Sequence, residues 1–598
     1  MIRLDADFCV VGGGIAGVCA ALAAARNGAR VVLVQDRSVL GGNASSEVRM
    51  HMVGASCSGK RPGAREAGIV DELRVEDAVR NPHRSPHLFD LLLYDKVMSE
   101  PAITLLLDTA CTGCRIAGGR IESVRATRHS TEDEFEIRAA QFADCSGDGR
   151  LGAEAGAAFR MGRESRDEFG EPLAPEIADG DKLGSTILFT ARRHDRPMPF
   201  TAPSWARPFT ERDLRYRSHA ELDYGYWWVE WGGHLDTIKD NDRIRHELLR
   251  VALGVWDHVK NHCPRRGMQA ATYDKASEGD ELVFEDPANW ALEWVGMIPG
   301  KRESRRFTAR HMLTQHDVQS GCIFEDQVAY GGWWIDMHPV MGVDAPGEYP
   351  CAQAPVPHLY SIPLRSLRAR DLDNLFFAGR IIGATHVAFA STRVMATCGV
   401  VGQAVGTAAA LASRGPLDIV ELRRRLSRDG AYLIGAANDD PADLARQARI
   451  AASSGDPGAV TNGVDRATSP RLHPSLPDSS NQWTSDTLPA WIELRWEEPR
   501  EISTAILTFD TGFHRELTLT MSDAYAAKMI RGPQPETVRD YRLSAGGREI
   551  AVTGNYSGRR LHRFDPPVRA ASLRLDVTAV NGDTVARVFG VRVYGPPE

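Results

Sequence analysis

The chain has 598 residues, of which 25% are charged and 43% hydrophobic, and its net charge is −8. At roughly 100–200 residues per domain, this composition describes a globular protein of several domains. The acidic balance argues against a nucleic-acid binder, which usually carries a basic excess.

The first residues are polar and lack the charged start of a signal peptide, so a cytoplasmic protein is expected. Residues 8–25 form an uncharged apolar run about long enough to span a membrane. Glycines divide it into a strand over 8–11 and a helix over 15–27, followed by a strand over 31–34. It therefore reads as a buried strand–turn–helix unit, and no membrane span is expected. A helix over 88–99, a strand over 103–107, a hairpin at Gly118-Gly119 and a strand ending at Asp144 follow. Residues 150–370 are rich in Trp, Pro, Arg and Gly without a clean period. Residues 372–412 return to strand, turn and helix, and 420–427 is amphipathic. A linker is expected at 453–456. Beyond it, short alternating runs at 491–496, 506–509, 517–521, 573–577 and 588–594 indicate a β-sandwich.

The expected fold class is α/β: a Rossmann-like domain with an inserted α+β substrate domain, followed by a C-terminal β-sandwich. The expected boundaries are 1–150 with 371–450, then 151–370, then 456–598. Ten cysteines are scattered and none lies beyond Cys398, which is not a disulfide framework. Cys111-x-x-Cys114 lacks a second ligand pair, and no metal site is expected.

Gly12, Gly14 and Gly17 form G-x-G-x-x-G directly after a strand and at the opening of a helix. Gly12 permits the turn, Gly14 lets backbone approach a pyrophosphate, and Gly17 lets helix and strand pack closely. The helix N-terminus faces the phosphates. An acid that binds ribose should close the second strand, where Gln35 stands, followed by Asp36. Gln35 can hydrogen-bond a ribose hydroxyl without charge, or the contact can pass to Asp36. A second such motif at Gly147, Gly149 and Gly152 is not read as a nucleotide site, because no strand–helix–strand unit with a ribose position follows it.

Four segments carry a resemblance: Val32–Glu47 with Gly41-Gly42-Asn43, Ala143–Gly149, Gly300–Arg306, and Asn374–Arg380 continuing through Thr385-His386 to Gly406. Together they resemble the FAD-dependent oxidoreductases related to the flavoprotein subunits of fumarate reductase and succinate dehydrogenase, over roughly residues 5–435. The resemblance implies flavin contacts at Gly12, Gly14, Gly17, Gln35, Gly42, Asn43, Asp148, Gly379, Arg380 and Thr397. Relatives of this kind often attach flavin through a His after the second strand. Here that place reads Gly41-Gly42-Asn43, so non-covalent FAD is expected, with His51 a weak candidate for attachment. Residues 456–598 resemble the discoidin-like, galactose-binding-like sandwich, a fold that does not fix function.

The resemblance also points to His386 as general base and Arg393 as the holder of an oxyanion or carboxylate. Helix 399–412 is expected to open near Thr397-Cys398-Gly399 and to face the flavin. Cys398 reads as a small packing residue. Arg302, Glu303, Arg305 and Arg306 read as a bracing ion-pair group, with an anion clamp as the alternative. Nine of the twelve tryptophans fall between 205 and 334. They fill a core or stack on a sugar, and Asp336 with His338 lies beside them as a second catalytic pair.

The reaction expected is oxidation of a hydroxyl-bearing small molecule such as a sugar, cyclitol or glycoside. The alternatives are reduction of an activated C=C bond, or a carbohydrate-binding protein with structural flavin. There is neither an NAD(P)H domain nor an iron–sulfur cysteine set in the sequence, so an external electron acceptor is expected. The oligomeric state stays open.

Overall fold

Four parallel strands end side by side, and that alignment builds the site. In the computed structural model, which describes residues 1–263 and 286–596, β1 (Ile2–Val11) lies between β2 (Val31–Val34) and β6 (Asp133–Asp144). Val11 is level with Val34 on one side and Asp144 on the other, and Phe377 of the strand Leu375–Phe377 is level with Asp144. Residues 12, 35, 145 and 378, far apart in sequence, therefore leave the sheet together at its carboxyl edge. That edge is where open α/β sheets bind ligands.

The sheet is mixed. β3 (Ile103–Leu106) extends it parallel beyond β2, whereas β4 (Thr109–Ala117) and β5 (Arg120–Arg128) form an antiparallel hairpin beside the first half of β6. α1 (Ile15–Arg26) packs against the helix Met395–Ala412. Glycines allow this contact: a Cβ at Gly402 would stand 2.1 Å from the Ala16 carbonyl oxygen, and one at Gly406 2.0 Å from that of Ala20. Helix Met395–Ala412 has the length and apolarity to cross a membrane, but 83% of that stretch is buried inside the protein. α3 (Pro86–Met98), with its N-cap at Ser85, lies against β3, and α2 (Ile69–Arg80), which the sequence did not mark, packs against helix Met395–Ala412, α1 and α3.

The segment 151–370 divides between two cores. Trp256, Phe189, Trp228 and Val251 make a core of the insert's own. Apolar residues of 307–335 and 356–369 instead join the core of the sheet domain. Their antiparallel pair, Gln327–Gly331 with Tyr360–Pro363, lies beside helix Met395–Ala412.

The C-terminal sandwich rests on two long strands, Ala490–Phe509 and Arg559–Val580, paired antiparallel through irregularities at Arg495/Arg500 and Ile502/Thr504. The first half of Ala490–Phe509 pairs with Arg449–Ala452, and the second half with Arg587–Tyr594. Such bends let a strand pass from one sheet to the other.

Two expectations change here. Residues 453–456 are not a free linker: Arg449–Ala452 is a sandwich strand, Ser453 N–H donates to Trp491, and Ala445 is already in the sandwich core. The run 517–521 is not a strand either. Leu517 is fully buried against Val75 and Ala78 of α2, so packing on a helix took the place of a strand partner.

Candidate functional site

A cavity of about 1020 Å³ opens at the carboxyl edge of the sheet. Gly12, Gly14, Asp36, Gly42 and Gly379 line one part, and Trp227, Trp334, Asp336, His338 and Arg393 line another. Its size is at the upper end for a ligand site.

The glycine turn has the shape a dinucleotide needs. Gly12 has φ +105°, and a Cβ there would meet the Cys145 carbonyl carbon at 2.5 Å. A Cβ on Gly17 would stand 1.8 Å from the Gly12 carbonyl oxygen, so only glycine permits this approach of helix to strand. Gly14 instead has open space, with Gly42 Cα nearest at 3.9 Å. Gly14 caps α1 without a side-chain hydrogen bond, which leaves the helix N-terminus available to an anion.

Gln35 lines the cavity, and its side-chain amide also holds the glycine turn. Its Oε1 accepts from Gly13 N–H at 2.7 Å and its Nε2 donates to the Val39 carbonyl at 2.9 Å. Asp36 is an exposed carboxylate on the same wall. Asn43 also lines the cavity and donates to the Lys301 carbonyl at 3.1 Å. Asp148 pairs with Lys301 at 2.5 Å and with Arg380 at 3.8 Å. Burial opposes its charge, but these two cations outweigh burial and hold the carboxyl below its ordinary value. Its Oδ1 is buried without a hydrogen-bond partner. Gly379 has φ +89° and lies on the wall beside Arg380. Open glycine backbone, an uncapped helix N-terminus and an orphaned carboxylate oxygen together fit a dinucleotide.

The helix expected from 399 begins at Met395, with Val394 as its cap, because the backbone is extended at Val394 (ψ 143°). Val394, Met395 and Cys398 therefore reach the cavity wall, and Thr397 does not. Thr397 is fully buried with its Oγ1 unpaired. Burial pushes the Cys398 thiol up to about 12, which disfavours its thiolate.

The two candidate histidines part company. His386 is buried at the start of helix His386–Thr392 and is not on the cavity wall. Its Nδ1 is 3.0 Å from Glu303, and its N–H donates to Glu164 at 2.8 Å. Both carboxylates also hold the fully buried Arg306, at 3.0 and 2.7 Å. The expected general base is thus part of a structural ion-pair group, and its assignment to substrate chemistry is corrected.

His338 lies on the wall. Its Nδ1 is 2.7 Å from Glu230 Oε2, and its Nε2 is 3.2 Å from Asp336 Oδ2. Arg393 brings Nη2 to 3.1 Å from that Nε2 and 3.0 Å from Asp336 Oδ2, while its Nε is buried without a partner. Arg302 reaches Glu230 at 3.3 Å and also lines the cavity, a role beyond the bracing expected of it. Burial opposes ionisation of both acids. For Glu230, Arg302 and His338 reverse that effect; for Asp336, His338 and Arg393 do, and both carboxyls sit below the ordinary range. Glu230 was not anticipated; among tryptophans at 227, 228 and 231 it carried no motif.

The sandwich domain also reaches the cavity side. His51, on the wall, hydrogen-bonds Thr520 at 2.9 Å and stacks on Tyr224 at 4.4 Å. Ser56 donates to Glu516 at 2.6 Å, and the buried Arg65 donates to the carbonyls of Thr511, Gly512 and Arg515.

The chain has remote likenesses to solved structures. The family 32 carbohydrate-binding module of Streptococcus pneumoniae EndoD is 17% identical, with 26% of this chain and 99% of that one covered at a TM-score of 0.19. A geranylgeranyl bacteriochlorophyll reductase-like protein of Thermoplasma acidophilum is 11% identical, with 72% and 85% covered at 0.33. No curated protein matches the sequence. The model of one family does match, that of the FAD dependent oxidoreductases, over residues 7–428. By that match across most of its length, and with a cavity that fits the cofactor, the chain belongs to the FAD dependent oxidoreductase family.

Proposed function

We propose that the protein oxidises a hydroxyl-bearing small molecule, with a sugar or cyclitol the favoured class, and holds FAD non-covalently. One observation carries this reading: His338, flanked by Glu230 and Asp336, shares a cavity wall with Arg393 and with Trp227, Trp333 and Trp334, in the same cavity as the glycine turn. The helix N-terminus at Gly14 would receive the pyrophosphate, Asp36 the ribose, and Arg380 and Lys301 the remaining anionic edge. When bound, FAD supplies the two-electron acceptor.

The chain's own residues divide the remaining work. Arg393 orients the substrate oxygen through its guanidinium N–H groups. His338 takes the hydroxyl proton, and the positive ring then lies between two carboxylates that stabilise it. The indoles present apolar faces to substrate C–H groups and exclude water. Non-covalent binding is supported by the absence of a His in Gly41-Gly42-Asn43 and by the engagement of His51 with Thr520 and Tyr224. A cytoplasmic location and an external electron acceptor remain parts of this proposal.

An anaerobic screen of sugars, polyols and hydroxy acids against flavin absorbance tests it: a polyol that bleaches the flavin is the expected result. A second reading, reduction of an activated C=C bond, is favoured by the Arg393–Asp336 pair, since a carboxylate can recharge a guanidinium that donates a proton. Chemically reduced enzyme that is reoxidised by an unsaturated carboxylate, but never bleached by a polyol, would select that reading.

A further inference from the structure

Away from the cavity, four side chains of the insert converge: Glu211, His219, His258 and Cys263. One ligand atom from each lies within 4.8 Å of all the others. Glu211 Oε1 is 2.9 Å from His258 Nε2, 3.5 Å from His219 Nε2 and 3.3 Å from Cys263 Sγ. Around a tetrahedral ion with bonds of about 2.0–2.3 Å, ligand atoms stand roughly 3.3–3.8 Å apart. The cluster is thus already near the span such an ion would hold.

The two imidazoles are set the same way. His219 Nδ1 is 2.9 Å from the Arg217 carbonyl oxygen, and His258 Nδ1 is 3.1 Å from that of Phe209. A carbonyl can only accept, so each Nδ1 donates to backbone, and each Nε2 is left to face Glu211, where loss of any proton shared with the carboxylate would turn its lone pair to an ion. This backbone anchor is the usual support of a metal-bound His. The Tyr226 hydroxyl also donates to the His219 carbonyl at 2.8 Å, which fixes the backbone there. His258 opens a π-helical turn, His258–His262, that follows the long helix Asn241–Asp257. In such a turn backbone bonds run five residues apart, and Cys263, five residues on, comes back over His258.

We propose that Glu211, His219, His258 and Cys263 bind one zinc ion in a closed structural site. The donor set selects the metal: a thiolate and two imidazoles exclude magnesium and calcium, which take oxygen ligands. A carboxylate as fourth ligand suits zinc and departs from the weak axial thioether of copper electron-transfer sites. Charge agrees, because one thiolate and one carboxylate neutralise a divalent ion bound with two neutral histidines. On binding, the Cys263 thiol proton leaves to solvent. With all four positions filled by protein, the ion would join the loop after Phe209 to the end of helix Asn241–Asp257 and brace the insert core. None of the four residues lines the cavity, so this role is separate from the oxidation chemistry.

The test uses the full-length holoprotein, purified without chelator. Elemental analysis should return one zinc per chain. Stripping with a chelator should lower Tm by several degrees, and adding Zn(II) should restore it. Co(II) in place of zinc should give a thiolate-to-metal charge-transfer band in the difference spectrum. Cys263→Ser should lose that band while the flavin spectrum persists, and His219→Ala and His258→Ala should lose the metal. Should those variants fail to fold, Co(II) titration of the stripped wild-type protein still decides. Sub-stoichiometric metal with no Zn(II)-dependent change in Tm would overturn the proposal: the carboxylate would then simply accept hydrogen bonds from its neighbours. Cobalt bound without a thiolate band would overturn it as well, by locating the metal elsewhere.

Discussion

His338 and His386 are both buried, and both have a glutamate at Nδ1, yet they belong to different regions. His386 lies inside a closed group in which Glu303 and Glu164 share Arg306, whose remaining N–H groups reach the carbonyls of Ala384 and Gly162. Every member of that group faces another, and nothing in it lines the cavity. His338 stands in an open version of the same arrangement. Its carboxylates are likewise balanced by arginines, but Arg302 and Arg393 border the cavity. A His beside a Glu is therefore not a catalytic sign by itself; all three arginines also donate to backbone carbonyls, and what separates the two groups is that His338, Arg302 and Arg393 border the cavity.

That comparison can be broken from either side. The largest effect should come from removing residues beyond 440, because the sandwich covers the cavity side as well as its own core. Arg65 would lose the carbonyls of Thr511, Gly512 and Arg515, and Asp77 its 2.8 Å partner Arg531. The expected outcome is insoluble protein, checked by expression and size-exclusion chromatography; a soluble, FAD-binding truncation would restore a modular sandwich. Arg306→Ala should follow. It removes the one guanidinium that two buried carboxylates share, a loss of about 3–5 kcal/mol, read by chemical denaturation. If it folds, its turnover per bound FAD should be close to that of the wild type.

Acid should act next. Burial holds the imidazoles of His51 and His562 down to about 4 from an ordinary 6.5. Between those values the unfolded chain takes protons that the folded chain refuses. Stability should therefore fall as pH drops from 6.5 to 4, by about 1.4 kcal/mol per pH unit for each group, and the loss should level off below. His562→Gln should remove one group's share of that slope in unfolding curves. The smallest effect should be that of Asp36→Ala, which removes one exposed contact to the cofactor. A weakening of FAD binding by about 1.5 kcal/mol is expected for a charged hydrogen bond, measured by flavin fluorescence on dilution. Unchanged affinity would return the ribose contact to another residue.

The sequence made the cofactor end legible because its signals are local. Gly12, Gly14 and Gly17 need only a strand before and a helix after, and the structure supplies both. The hydrogen bond of Gln35 to the Gly13 N–H had no sequence signal, because it forms only once the turn has closed. His386 and Arg393 are seven residues apart, about two helical turns, which would align them on one continuous helix. They do share one helix, His386 at its start and Arg393 as its C-cap, but about 10 Å apart along the axis, and only Arg393 reaches the cavity wall. Glu230 and the cluster of Glu211, His219, His258 and Cys263 had no spacing to read, since packing of separate segments, not periodicity, brings them together. Likewise the sandwich strands were visible by alternation, whereas residues 517–521 were claimed by α2.

The most direct measurement compares His338→Gln with His386→Gln in anaerobic single-turnover flavin reduction, using the substrate that bleaches the wild-type protein, with thermal unfolding run alongside. The account predicts that His338→Gln keeps its FAD and loses about 10²–10⁴-fold in reduction rate. His386→Gln should lose Tm but reduce its bound flavin at close to the wild-type rate. The opposite result, with His386→Gln stable and inactive and His338→Gln fully active, would contradict the assignment of the chemistry to the cavity wall.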